Sequence, residues 1–239
     1  MGDLKLIAEN NIISEVTEVE IWETHCHTSE VSGCGKSTGA EMAKAYAKAG
    51  YTGIVITDHF EINTFRDCCP YENPQDMVKW YLSGSQAAKE AAVCKVLWGI
   101  ELRFTENTND YLVYGLTEEQ LVALCRDHVF EWGIKQFSHY AKQRGILLFQ
   151  AHPFRNGMMV NRPELLYGIE IFNGHPNHDS RNQMAQWWAE HYGLARISGS
   201  DAHHINLIAT GGIMTDKTIQ TMEDFCQVIS ETKTKLLMK

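Results

Sequence analysis

Five times along this 239-residue chain, an apolar run of strand length ends abruptly on histidine or a carboxylate. Val19–Thr24 runs into His25-Cys26-His27, Gly53–Thr57 into Asp58-His59, and Lys95–Glu101 closes on Glu101 itself. Ile146–Ala151 stops at His152, and Ala195–Ser198 leads to Asp201-Ala202-His203. Charge at the end of a buried strand demands a partner or an ion. Further strands are predicted at Tyr111–Tyr114, Gly168–Phe172 and, shorter, near Ala209–Met214. Helical patterns fill the gaps at Ala40–Ala49, Pro74–Val93, Glu118–Gln143, His178–Tyr192 and Met222–Thr232. Strand then helix, repeated, predicts parallel strands joined by right-handed crossovers. An open doubly wound sheet gathers its chemistry at one crevice fed by a few strands. A barrel turns every strand end towards one mouth. Ligand-type residues at five ends therefore predict an α/β barrel, with residues 1–239 forming one domain.

The residue types at those ends point to a metal centre. Residues two apart on a strand share a face, so His25 and His27 reach the same ion. Asp201 and His203 have the same spacing, and His59 and His152 add further imidazoles. A lone carboxylate in an apolar strand, Glu101, suits a bridge between two cations. Oxygen with imidazole favours Zn, Mn or Fe over Ca or a thiolate-bound structural zinc. Arg155, three residues beyond His152, either grips a phosphate oxygen or makes a surface ion pair. His175 and His178 follow the Gly168–Phe172 strand and read first as a polar loop opening a helix, with substrate contact as the alternative.

Taken together, His25-Cys26-His27-Thr28, Thr57-Asp58-His59, Gly99-Ile100-Glu101, Ala151-His152-Pro153 and Gly199-Ser200-Asp201-Ala202-His203 resemble the motifs of the PHP (polymerase and histidinol phosphatase) family of metal-dependent phosphoesterases. The resemblance runs from His25 to about Gly212. It implies a distorted seven-stranded (β/α) barrel with two or three divalent metals at the C-terminal ends of the strands. By the same resemblance His25, His27, Glu101 and Asp201 hold one metal. Glu101 bridges to a second that also takes His152, and His59 and His203 belong to a third. The implied activity is phosphoester hydrolysis by metal-activated water, with Glu101, Asp201 and Arg155 catalytic. Where the family often adds an acidic or imidazole ligand, this chain has Cys34 at one position and Asn109-Asp110-Tyr111 at the other. Two filled metal sites are the safer expectation.

Composition narrows the alternatives. Twenty-one basic against 30 acidic side chains leave a net charge of −9. Phosphate backbones are gripped by basic faces, so a small phosphorylated substrate is expected and a stable nucleic-acid complex is not. No apolar stretch reaches the roughly 20 residues that span a bilayer, and Met1–Asn10 lacks the apolar core of a signal peptide. Seven cysteines, an odd number without a C-x-x-C pair, predict free thiols and a reducing, cytoplasmic setting. Oligomeric state is not encoded in any motif.

Two rival readings remain. One is a degenerate module that holds metal but turns nothing over. The other is a P-loop nucleotide hydrolase, because Gly33-Cys34-Gly35-Lys36-Ser37-Thr38 imitates the end of G-x-x-x-x-G-K-[ST]. Its opening glycine falls on Glu30, and it leaves the histidines without a task. Within the barrel reading, that loop is a rim on which Lys36 attracts phosphate.

Overall fold

The computed structural model describes residues 18–231 and 234–239. Among them the strands are β1 Glu20–Cys26, β2 Gly53–Ile56, β3 His59–Phe60, β4 Lys95–Trp98, β5 Ile100–Arg103, β6 Asp110–Tyr114, β7 Leu147–Gln150, β8 Gly168–Asn173, β9 Ala195–Gly199, β10 Gly211–Thr215 and β11 Lys235–Met238. The helices are α1 Gly39–Lys48, α2 Ile62–Cys68, α3 Pro74–Tyr81, α4 Ser83–Glu90, α5 Glu118–Arg126, α6 Gly133–Lys142, α7 Asn182–Tyr192 and α8 Met222–Ile229.

Helix starts follow local chemistry. Thr38 accepts from the Glu41 amide and Glu41 reaches back to the Thr38 amide, a reciprocal cap that opens α1. Asn73 caps α3, with Pro74 at its first position. Two expected helices are each divided. The Pro74–Val93 pattern breaks at Leu82 into α3 and α4. There α4 presses on the loop after β1 so closely that a Cβ on Gly84 would lie 2.0 Å from Thr28 Oγ1. The Glu118–Gln143 pattern breaks at His128 and Gly133, both in the left-handed region, with a short 3-10 turn at Val129–Glu131 between.

The strands form two mixed sheets, in the orders β11-β10-β1-β2-β4 and β3-β5-β6-β7-β8-β9. Parallel pairs β1·β2, β2·β4, β3·β5, β7·β8 and β8·β9 match the expected crossovers. By contrast β5·β6, β6·β7, β1·β10 and β10·β11 are antiparallel. The connection from Arg103 to Asp110 explains one of these: it is too short for a crossover and folds as a hairpin. A single closed seven-stranded barrel is therefore not what the ladders describe. The expected strand Lys95–Glu101 is split at Gly99, with β4 in the first sheet and β5 in the second. At the opposite seam the sheets meet through a bridge from Cys26 to Ala202. The mouth lies where β1, β3, β5, β7 and β9 end.

Apolar side chains fill the space behind that mouth. Trp22, Tyr114, Phe149 and Phe225 pack in one cluster, and Phe60, Phe65, Tyr81 and Phe130 in another. No helix of the described residues is long and apolar enough to cross a membrane. All seven cysteines are unbridged.

Candidate metal centre

Alternation along β1 points Glu23, His25 and His27 to the same side, and His25 and His27 are fully buried. Their Nε2 atoms face each other at 3.2 Å. Glu101, from β5, sits between four imidazoles. Its Oε1 is 3.2 Å from His25 Nε2 and 3.2 Å from His152 Nε2. Its Oε2 is 2.8 Å from His59 Nδ1 and 3.5 Å from His27 Nε2. Asp201 Oδ1 completes the ring, 3.3 Å from His27 Nε2 and 3.5 Å from His25 Nε2. Both His152 and Asp201 adopt positive φ, 29° and 51°. Holding non-glycine residues there costs about 1–3 kcal/mol each and is tolerated mainly where function requires it.

Three groups of donor atoms converge: His25/His27/Asp201, Glu101/Asp110/His152 and His27/His59/His203. All seven metal ligands expected from the sequence are thus brought together, and Asp110 joins them. Asp110 also receives two bonds from Arg103, at 2.6 and 2.8 Å, so its charge is shared. Cys34 lines the same cavity, and the loop carrying it is tied down by the Lys36 amide on the His203 carbonyl at 2.7 Å.

The donor set fits divalent ions. Glu101 Oε2 is buried without a hydrogen bond although His59 Nδ1 lies 2.8 Å away. Two such atoms crowded together without a hydrogen bond between them are arranged like ligands of one ion. With bonds of about 2.0–2.2 Å to the ion, neighbouring ligand atoms sit roughly 3 Å apart. Oxygen and imidazole donors together match Zn, Mn or Fe chemistry.

Charges in the cluster are strongly coupled. Burial opposes a charged His25, but Asp201, Glu170 and Glu101 overcome it and raise the imidazole well above its usual range. His59 rises for the same reason, through Glu101. His27 goes the other way: burial and the neighbouring His203 and His59 hold it well below. Burial works against ionised Glu101 and Asp201, yet His25 and other imidazoles keep both well below the usual carboxylate range.

Other expected residues have more specific places. Asp58 points away from the cluster and accepts from the Thr28 amide at 2.6 Å, Thr28 Oγ1 at 2.7 Å and Ser32 Oγ at 2.7 Å. Ser32 Oγ in turn lies 3.4 Å from His27 Nδ1. Arg155 already donates to Asp201 Oδ2 at 2.7 Å and Asn173 Oδ1 at 2.9 Å. It borders a cavity of about 530 Å³ with Lys36, His59, Glu101, His175 and His203. Burial pulls His175 down to about 4 against the opposing charge of Asp201, and His203, His178 and Arg155 push the same way as burial.

Sequence reasoning missed two buried carboxylates. Glu23 accepts from the Ser200 amide, Ser200 Oγ and Tyr46 Oη, lashing β1 to the segment that carries Asp201. Glu170 accepts from His25 Nδ1 at 2.9 Å. The signal was available, since Gly168-Ile169-Glu170-Ile171 repeats the pattern of Gly99-Ile100-Glu101-Leu102.

The P-loop imitation fails physically. Glu30 accepts from the Gly39 amide at 3.0 and 3.1 Å, and Glu41 covers the Thr38 amide. The end of α1 that would cradle a phosphate is filled by the chain's own carboxylates.

Fold and site together define a mixed α/β protein whose strand ends gather three groups of donor atoms able to hold metal ions. Residues 179–234 match the PHP-associated family. Solved structures with a similar fold include PsfC from Pseudomonas syringae PB-5123, at 17% identity and a TM-score of 0.64 over 93% of this chain and 92% of that one. A two-domain protein containing a predicted PHP-like metal-dependent phosphoesterase, from Bacteroides vulgatus ATCC 8482, is 15% identical at a TM-score of 0.60, covering 92% of this chain and 65% of that one. Endonuclease Q, in complex with a 27-mer duplex substrate bearing an abasic lesion at the active site, is 13% identical at 0.65, covering 91% and 58%. No curated protein shows significant sequence similarity. The PHP resemblance carried by the motifs is thus borne out.

The partner expectation is corrected. Endonuclease Q, 58% of whose chain shares this fold, takes a duplex substrate with an abasic lesion at its active site. A small phosphorylated substrate without a stable nucleic-acid complex therefore no longer follows from a net charge of −9. Whole-chain charge averages over every face, whereas a phosphate grip needs only a few local donors.

Proposed function

We propose that the chain, acting as one domain, is a metal-dependent phosphoester hydrolase whose substrate is a nucleic-acid phosphodiester. The observation that carries this reading is Glu101, buried among four histidines with one oxygen unclaimed by any hydrogen bond. His25, His27 and Asp201 would hold one ion together with Glu101, which with Asp110 and His152 would also hold a second, and His59 with His203 a third. Ions of the Zn, Mn or Fe type supply Lewis acidity and a nucleophilic water near neutral pH. Glu101 fixes the spacing between sites. Arg155 and Lys36 neutralise the phosphate, and Asn173 holds Arg155 in place. The likeness to the endonuclease Q fold supports the diester class.

The test is hydrolysis of a synthetic phosphodiester and of single-stranded, duplex and abasic oligonucleotides, before and after chelation and metal return. Activity lost on chelation, regained with metal and abolished by His25→Ala is expected. Bound metal without turnover of any ester would favour the inactive module, and nucleotide hydrolysis surviving His25→Ala would favour the P-loop reading.

A further inference from the structure

We infer that Glu170 is a positioning residue that commits His25 to donating Nε2 towards the ion site and couples that site to its neighbour; this rests on the metal reading above. Its carboxylate is buried on β8, directly behind the donor cluster. Oε1 accepts from His25 Nδ1 at 2.9 Å. A proton kept on Nδ1 makes Nε2, which lies 3.2 Å from Glu101 Oε1 and 3.2 Å from His27 Nε2, the nitrogen that gives up its proton and binds when an ion enters. Oε2 accepts from the His152 amide at 3.0 Å, so the same carboxylate supports the left-handed backbone from which His152 reaches the second donor group. Asn173 Nδ2 donates to Glu170 Oε2 at 3.0 Å and to Asp201 Oδ2 at 3.1 Å, while its Oδ1 accepts from Arg155.

One side chain thus reaches His25 and His152 directly, and Asp201 and Arg155 through Asn173. The close approach is permitted by Gly199, where a Cβ would sit 2.5 Å from His25 Cβ and 2.9 Å from Glu170 Oε1. Second-layer carboxylates of this kind fix the tautomer of a ligating imidazole and raise its basicity.

Glu170→Gln separates this role from simple packing, because it keeps volume and removes one acceptor. The amide oxygen stays with the two donors, the His152 amide and Asn173. The amide NH2 then faces His25 Nδ1, which becomes an acceptor, and the His25 proton moves to Nε2, into the ion site. Zinc titration of the variant is expected to show affinity lowered roughly 10–100-fold at the His25 site and by a smaller factor at the His152 site, whose amide keeps an acceptor, while the metal-free protein stays folded by circular dichroism. In 15N-histidine spectra of the zinc-loaded wild type, His25 carries its proton on Nδ1; in Glu170→Gln that signal is lost.

Glu170→Asp, should the glutamine variant fail to fold, keeps the Nδ1 proton while binding zinc more weakly than wild type. Zinc bound equally by wild type and either variant, or loss confined to the His152 site, overturns the assignment. A wild-type chain that takes up no zinc overturns the metal reading and this assignment with it.

Discussion

Replacing Glu101 by Gln keeps the shape of the side chain and removes its charge from a place where it faces four imidazoles within 3.5 Å. Stripping one partner from a buried, hydrogen-bonded charge pair costs about 3–5 kcal/mol. At about 1.4 kcal/mol per factor of ten, that is roughly a hundredfold to a few thousandfold in affinity for each ion it serves. A carboxylate shared by two sites weakens both at once, so turnover falls by more than either affinity alone. Arg155→Ala removes two charge-assisted hydrogen bonds, one to Asp201 and one to Asn173. At about 1.5–3 kcal/mol, it costs roughly ten- to a hundredfold in diester hydrolysis with zinc retained. Equilibrium dialysis against zinc, paired with diester hydrolysis, measures both quantities. Equal losses in the two variants, or full zinc binding by Glu101→Gln, would refute a bridging carboxylate.

Three further outcomes are expected. Because carboxylates hold the buried His25 and the half-buried His59 well above their ordinary range, they favour the imidazolium form in the metal-free protein, and zinc must displace its extra proton. Calorimetry in buffers of different ionisation heat should show proton release; a buffer-independent enthalpy would contradict it. By linkage, the raised imidazoles stabilise the metal-free fold fully below their unfolded value near 6.5, and that share is lost as pH rises through the folded values. Burial resists ionisation of Cys34, but His203 and His59 bring its thiol down to about 6. At pH 7 it should alkylate faster than the exposed Cys68 and be protected by zinc, as read by peptide mass mapping; labelling at the Cys68 rate would argue against contact with the cluster. Gly199→Ala places a methyl 2.5 Å from His25 Cβ. It should destabilise the fold by about 1–3 kcal/mol in thermal melts and weaken zinc binding, and unchanged affinity would show His25 free to shift.

Much of the site was legible because its residues interrupt apolar strands. Each histidine or carboxylate at a strand end violates the pattern that built the strand, and such violations are visible without structure. Glu170 interrupts its strand too, but in the middle of Gly168–Phe172 rather than at the end, where the other ligand-type residues stand. The antiparallel pairs were less legible, since periodicity reports burial but not strand direction. Gly99 looked like part of a run and instead hands the chain from one sheet to the other. Asp58 was visible as a buried charge, but only the fold reveals that Thr28 and Ser32 consume it. Net charge misled most, because it carries no address.

The seam between the sheets has a mechanical consequence. His25 and His27 leave the five-stranded sheet, whereas His59, Glu101, His152 and Asp201 extend from the six-stranded one. Two of the three donor groups combine members of both. Cations seated there would rivet one slab to the other across a joint otherwise bridged by Cys26 and Ala202. Loading would then stiffen the whole body as well as arm the mouth.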